Sequence, residues 1–125
     1  MLPKIPAWLH RLSWIAVAGW AATITFLSSM SGPELEELDF KLWDKGAHFI
    51  AFLVGGLLLG AAWRWSVGWP WKKLAPLAIL ALMLFGAIDE IHQLYTPNRS
   101  GADLADWIAD VLGSAAGVLL FLLIH

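Results

Sequence analysis

The side chains best suited to chemistry in this sequence lie in three short segments, residues 44–48, 89–93 and 99–110. Carboxyl and imidazole groups transfer protons near neutral pH, and their oxygen and nitrogen atoms are also ligands for Mg²⁺, Mn²⁺ or Zn²⁺. The candidate catalytic residues are His48, Asp89, Glu90, Asp106 and Asp110. The candidate substrate-binding residues are Asp44, His92, Gln93, Arg99 and Asp103. A divalent cation therefore remains an open alternative to pure acid–base chemistry.

Helical spacing places the first and last of these groups on defined faces. Asp44 and His48 fall on one helix stripe, one turn apart. Asp103, Asp106 and Asp110 lie within about 60° of one another around a helix. Gly113 and Gly117 extend that stripe, and an aspartate facing lipid would cost several kcal/mol. We therefore expect the aspartate stripe to face other helices.

The middle segment cannot direct all of its polar groups to one place. Asp89 and Gln93 share a helix face with Gly86, whereas Glu90 and His92 flank that face on opposite sides. At least one of these side chains should therefore meet solvent or a different neighbour.

Several of the candidates also have a structural interpretation, which for His92 and Gln93 is packing or interfacial hydrogen bonding. Asp103 lies three residues after Ser100, which is the spacing of a helix-capping pair. Asp44 fits an interfacial charge or a helix cap, and Arg99 can simply pair with a nearby acid. Binding of an anion by Arg99 and capping or pairing by these residues remain alternatives.

The composition is typical of a membrane protein. The 125 residues are 59% hydrophobic and 14% charged, with 9 Trp, whereas soluble domains contain about 25% charged residues. The absence of Cys excludes disulfides, zinc–thiolate sites and a cysteine nucleophile. A net charge of −2 gives no basic surface for nucleic acid, so we expect no nucleic-acid partner.

Four apolar segments are long enough to cross a bilayer as helices. They lie at about 12–30, 47–63, 74–94 and 104–124, separated by Pro, Gly or charged residues. We expect an all-α, polytopic membrane protein, a single domain over 1–125 that forms a four-transmembrane-helix bundle. A signal peptide is the alternative for the first segment, but its apolar run is longer than such peptides carry.

Charge distribution predicts the orientation of these segments. All ten acids lie around the first and third loops, with three of the bases. The other five bases lie before the first segment and in the second loop, and they are Lys4, Arg11, Arg64, Lys72 and Lys73. The excess of Lys and Arg marks the cytoplasmic side, so both termini should be cytoplasmic and the polar segments should face outward. Four Trp residues would form an inner belt, at 63, 65, 69 and 71.

These segments together resemble the VanZ-like family of bacterial membrane proteins. The similarity lies in DKGAHF at 44–49, GAIDEIHQ at 86–93, PNRSG at 97–101 and the acids from Asp103 to Asp110, followed by Gly113. It covers most of the chain after the first helix. The resemblance implies a helical protein of the bacterial inner membrane and an association with resistance to the lipoglycopeptide teicoplanin, but it supplies no reaction.

Three functions fit these residues. The first is an enzyme, a hydrolase or transferase, acting on a lipid-linked envelope substrate at the outer leaflet, with Arg99 holding an anionic head group. The second is a non-catalytic binding protein for a lipid head group, a glycopeptide or a cation. In the third, the polar groups only tie helix ends together. The lipid bilayer is the expected partner, and the paired glycines at 56/60 and 113/117 offer faces for an oligomer.

Overall fold

The computed structural model describes residues 5–30, 44–96 and 104–125, and these residues form four helices. They are α1 (Ala7–Ser28), α2 (Asp44–Val67), α3 (Trp71–Leu94) and α4 (Leu104–Ile124). Within the described ranges there is no strand, so the all-α prediction is confirmed. The first three helices extend beyond the predicted apolar segments at their N-terminal ends, because a helix continues through polar interfacial residues as long as its backbone bonds are satisfied.

Three of the four helices have the length and composition of membrane spans. These are Gly46–Val67 of α2, together with the whole of α3 and α4. Helix α1 is long enough, at 22 residues, but it is less apolar than the others. Its three Trp, two Thr and two Ser, with His10 and Arg11, lower its mean hydropathy. The prediction of a membrane protein is confirmed. The prediction that α1 is a fourth membrane span is not confirmed.

A short turn makes α2 and α3 antiparallel. Gly68 has a φ of 66°, a left-handed conformation that glycine adopts without strain, and its N–H donates to the Arg64 carbonyl at 3.1 Å. Pro70 then precedes α3, and its carbonyl accepts the N–H groups of Lys73 and Leu74. The sequence Gly-Trp-Pro thus ends one helix and starts the next within three residues.

Glycines bring α2 and α4 into backbone contact. A Cβ at Gly113 would overlap the carbonyl oxygen of Phe49, and one at Gly117 would overlap that of Leu53. On the other side, a Cβ at Gly56 would lie 2.6 Å from the Ser114 carbonyl oxygen. The paired glycines at 56/60 and 113/117, which the sequence analysis considered as oligomer contacts, are therefore buried between helices of the same chain. An oligomer would need another surface.

Helix α1 packs on α2 through its tryptophans. The Trp20 ring meets Phe52 edge-on at 5.3 Å and lies at the same distance from Phe85 of α3. Its indole N–H donates to the Ala51 carbonyl at 2.9 Å. Nearer the other end, the Trp14 indole donates to the Ser66 hydroxyl at 2.7 Å. These contacts fix α1 beside α2, with its C-terminal end near that of α3.

Candidate functional site

The N-terminal ends of α2 and α4 and the C-terminal end of α3 bring four ionisable side chains together. His48 Nδ1 lies 2.7 Å from Asp110 Oδ1, and its Nε2 lies 3.8 Å from Asp106 Oδ2. Glu90 Oε1 of α3 lies 3.9 Å from His48 Nδ1. The three carboxylate side chains are at most 8% exposed, whereas the imidazole is 14% exposed. We call these four residues the His48 cluster.

Small and aromatic neighbours hold Asp110 in place. Gly86 of α3 faces it, because a Cβ there would lie 3.2 Å from Asp110 Oδ2 and 3.4 Å from the Phe52 ring. Phe52, one turn below His48, is 1% exposed and seals the cluster from the interior. The glycine contacts between α2 and α4 supply the close approach that lets His48 reach Asp110. Burial of charge here is sustained by pairing, since an isolated buried carboxylate is strongly disfavoured.

Two chemical uses fit the His48 cluster. An imidazole paired with a carboxylate through one nitrogen is oriented for proton transfer at the other. In addition, one donor atom from each of His48, Glu90 and Asp106 lies within 4.8 Å of the other two. Small movements of these side chains would give a cation one nitrogen and two oxygen ligands.

A second group of polar side chains joins α1 to α3. Ser28 Oγ donates to Asp89 Oδ1 at 2.5 Å, and the Gln93 amide donates to both Ser28 Oγ and Asp89 Oδ2 at 3.3 Å. The Thr96 hydroxyl donates to the Ser28 carbonyl at 2.9 Å. All four residues are buried, and we call them the Ser28 cluster. Its hydrogen bonds fasten the end of the least apolar helix to the bundle.

A family model described as VanZ/LLP1 matches residues 8–125, nearly the whole chain. The chain belongs to the VanZ/LLP1 family. The match begins within α1, so the family model also covers this helix, which carries none of the sequence motifs. No curated protein and no solved structure matches this VanZ/LLP1 chain.

The VanZ/LLP1 chain brings together four of the five residues predicted to be catalytic. His48, Glu90, Asp106 and Asp110 form one cluster. The two aspartates of the predicted stripe that the structure describes, Asp106 and Asp110, are buried against protein as expected. Asp89, the fifth, contacts α1 through Ser28. Consecutive residues on a helix project about 100° apart, so Asp89 and Glu90 lie on different faces of α3.

The residues predicted to bind substrate are dispersed. Gln93 is buried in the Ser28 cluster, whereas His92 is exposed and its Nε2 lies 3.0 Å from Ser29 Oγ. The expectation that Glu90 and His92 diverge is thus confirmed. Asp44 begins α2, but its side chain lies outside the described residues, as do Arg99 and Asp103.

Ser28 and Thr96 are the polar residues that the sequence did not single out for the site. Ser28 is followed directly by Ser29 at the end of the first apolar segment, and Thr96 follows the third segment. The only sequence signal for Ser28 is its position, since the first and third segments end on the same side in an up-and-down bundle. An exposed groove beside this cluster is lined by Thr25, Phe85, Ile88, Asp89 and His92.

Proposed function

We propose that this VanZ/LLP1 protein crosses a bacterial inner membrane four times, with both termini in the cytoplasm. Three helices have the composition of spans, and α1 packs alongside α2 with its ends at the same levels. Lys and Arg in the second loop and acids at the opposite ends support this orientation. The His48 cluster then lies at the outer surface, where envelope precursors on lipid carriers are exposed.

The protein acts on an anionic, lipid-linked envelope substrate at the His48 cluster. The observation that carries this proposal is the 2.7 Å contact between His48 Nδ1 and Asp110 Oδ1. With its proton on Nδ1, His48 donates to Asp110, and Nε2 is the atom that accepts or returns the substrate's proton. Asp106 and Glu90 stabilise the imidazolium that proton acceptance would form.

The remaining candidates have supporting roles in this proposal. In this proposal Arg99 binds the phosphate or carboxylate of the substrate, and Asp44 and Asp103 remain candidate substrate-binding residues. Asp89 and His92 line the groove between α1 and α3, where a lipid tail or linker would lie, and Gln93 positions Asp89 by a hydrogen bond. Alteration of an envelope precursor would change how teicoplanin meets its target, which is the association that membership of the family suggests.

Teicoplanin susceptibility tests this proposal in cells. A susceptible bacterium would express wild type, His48→Ala or His125→Ala, with equal membrane abundance checked by immunoblot. His125 stacks on Phe121 at the other end of the molecule and is the matched control. Wild type and His125→Ala should raise the inhibitory concentration of teicoplanin, and His48→Ala should not. Equal resistance in all three strains would contradict the proposal.

Binding without reaction is the second candidate function. It is favoured by the donor atoms of His48, Glu90 and Asp106, which lie within 4.8 Å of one another and suit a divalent cation or a cationic head group. Native mass spectrometry of the detergent-purified protein tests it. A retained cation or lipid that is lost in His48→Ala, with no conversion of an added lipid carrier, would support binding. An unmodified mass in both samples would contradict it.

A further inference from the structure

The end of the molecule opposite the His48 cluster carries positive charge, and no Asp or Glu of the described ranges lies there. Arg64 ends α2, and Lys72 and Lys73 begin α3, so the short turn brings them to one end of the bundle. The sequence from 46 to 88, which includes both of these helix ends, contains no Asp or Glu. Among the described residues this region therefore has cations whose counter-charges must come from outside it.

Arg64 is held at this end by a hydrogen bond across the turn between α2 and α3. Its Nη1 donates to the carbonyl of Trp69, which fixes the guanidinium across the turn. Its Nε is buried and has no hydrogen-bond partner among the described residues. Guanidinium groups are planar, always charged and suited to paired contacts with phosphate. The turn thus presents a fixed cation rather than a mobile surface side chain.

The two lysines add charge where the helix already has a positive end. Helix α3 has no acid in its first turn, and Pro70, the N-cap residue that precedes it, provides no side-chain hydrogen bond to the helix. Cations are disfavoured at a helix N-terminus, because the aligned peptide dipoles leave partial positive charge there. Lys73 Nζ lies 3.9 Å from the centre of the Trp69 ring, and Lys72 Nζ lies 5.8 Å from that of Trp71. Ring contacts only partly offset this repulsion, and an anion would remove it.

The surroundings of these cations indicate where that anion lies. Trp63 and Trp69 pack with their ring centres 6.0 Å apart, and Trp71 is exposed. Tryptophan is enriched at the boundary between the hydrocarbon core and the head groups of a bilayer. Since α2 ends and α3 begins at this level, the cations lie at the depth of lipid phosphates.

We propose that Arg64, Lys72 and Lys73 form a binding site for the phosphate of an anionic phospholipid, with Trp69 against its glycerol region. We call it the Arg64 site. It goes beyond the proposed function, since it lies at the opposite end of the helices from the His48 cluster. A bound lipid would neutralise the end of α3 and anchor the turn between α2 and α3 at the membrane surface.

Lipid titration by native mass spectrometry tests the Arg64 site. Wild-type protein in a neutral detergent would be titrated with phosphatidylglycerol and, separately, with phosphatidylcholine. The test variant is Lys72→Gln with Lys73→Gln, which leaves the Arg64–Trp69 contact in place. Lys45→Gln, at the other end of α2, removes the same kind of charge and is the control. Thermal melting of each protein confirms that it is folded.

Phosphatidylglycerol should bind wild type and Lys45→Gln more tightly than phosphatidylcholine does. Each lysine near an anionic surface contributes a factor of about five, so the double variant should lose about 25-fold in affinity for phosphatidylglycerol. Equal binding of the two lipids to wild type would overturn the proposal, as would an unchanged affinity in the double variant. Displacement of the lipid by equimolar inorganic phosphate would also overturn it, because the ligand would then be free phosphate.

Discussion

His48 on α2 and Asp110 on α4 form the closest contact between ionisable groups in the His48 cluster, with Nδ1 and Oδ1 2.7 Å apart. The aspartate is wholly buried, and the imidazole is 14% exposed. The carboxylate of Asp110 is therefore shielded from solvent, whereas part of the His48 side chain is accessible to solvent. This asymmetry suits the proposed proton transfer, because the buried carboxylate orients the ring through Nδ1 and the imidazole is the more accessible of the two groups.

Stability measurements should show that these two residues are coupled. Asp110→Ala removes a buried carboxylate and should lower the free energy of unfolding by about 3 kcal/mol. His48→Ala should cost less, because its ring is partly exposed. In a double-mutant cycle by chemical or thermal unfolding, the double variant should be more stable than the sum of the single effects implies, by about 1–2 kcal/mol. Strict additivity would mean that the contact contributes nothing.

The substitution Asp110→Asn tests the charge of Asp110 separately from its shape, because Asn has nearly the same size and no charge. The amide keeps the volume beside Gly86 and can still contact the imidazole, so the protein should fold. It cannot stabilise an imidazolium, so teicoplanin resistance should fall toward that of His48→Ala. Retention of full resistance by a folded Asp110→Asn protein would argue that the charge has no functional role.

The backbone contact between α2 and α4 predicts a sharp difference among glycines. Gly117→Ala would place a Cβ against the Leu53 carbonyl, and the helices would have to separate, at a cost of about 2 kcal/mol or more. Gly19→Ala on α1 is the control, since nothing lies within 4 Å of the added methyl group. A melting curve should show a lower melting temperature for the first variant and no loss for the second. Similar melting temperatures would contradict the packing described here.

The Ser28 cluster predicts that a single hydroxyl helps to hold α1. Ser28→Ala removes the donor to Asp89 and should destabilise the protein by about 1 kcal/mol, which is the usual magnitude for the loss of one hydrogen bond between helices. Ser13→Ala, on the same helix, removes only a bond to the nearby His10 carbonyl. Proteolysis of the N-terminal region should therefore increase in the first variant alone. Equal protection in both would mean that the cluster does not anchor α1.

Much of the fold could be predicted from apolar segments and helical spacing. Runs of apolar residues located all four helices, and the spacing of Asp106, Asp110, Gly113 and Gly117 identified the buried face of α4. These features are local, since a stripe on one helix depends only on 3.6 residues per turn. The ends of the helices were less accurate, because interfacial residues such as Trp65 extend a helix without extending its apolar run.

The division of the polar residues between two clusters could not be predicted. It depends on which helix lies beside each face of α3, and spacing within α3 gives only the angle between Asp89 and Glu90. Ser28 joined the second cluster because α1 ends at the level of Asp89, which is a tertiary relationship. The packing of α1 against α2 could not be predicted either, since it depends on indole N–H groups and rings that meet residues far away in the sequence.

A binding measurement tests most directly the proposal that the His48 cluster engages an anionic lipid-linked envelope molecule. Purified wild type, His48→Ala and His125→Ala would each be titrated with undecaprenyl diphosphate, with mass spectrometry following both the bound and the converted lipid. Wild type and His125→Ala should bind or convert the lipid, and His48→Ala should be weaker by about tenfold or more, the loss expected for one charge-assisted hydrogen bond. Identical behaviour of the three proteins would contradict the claim.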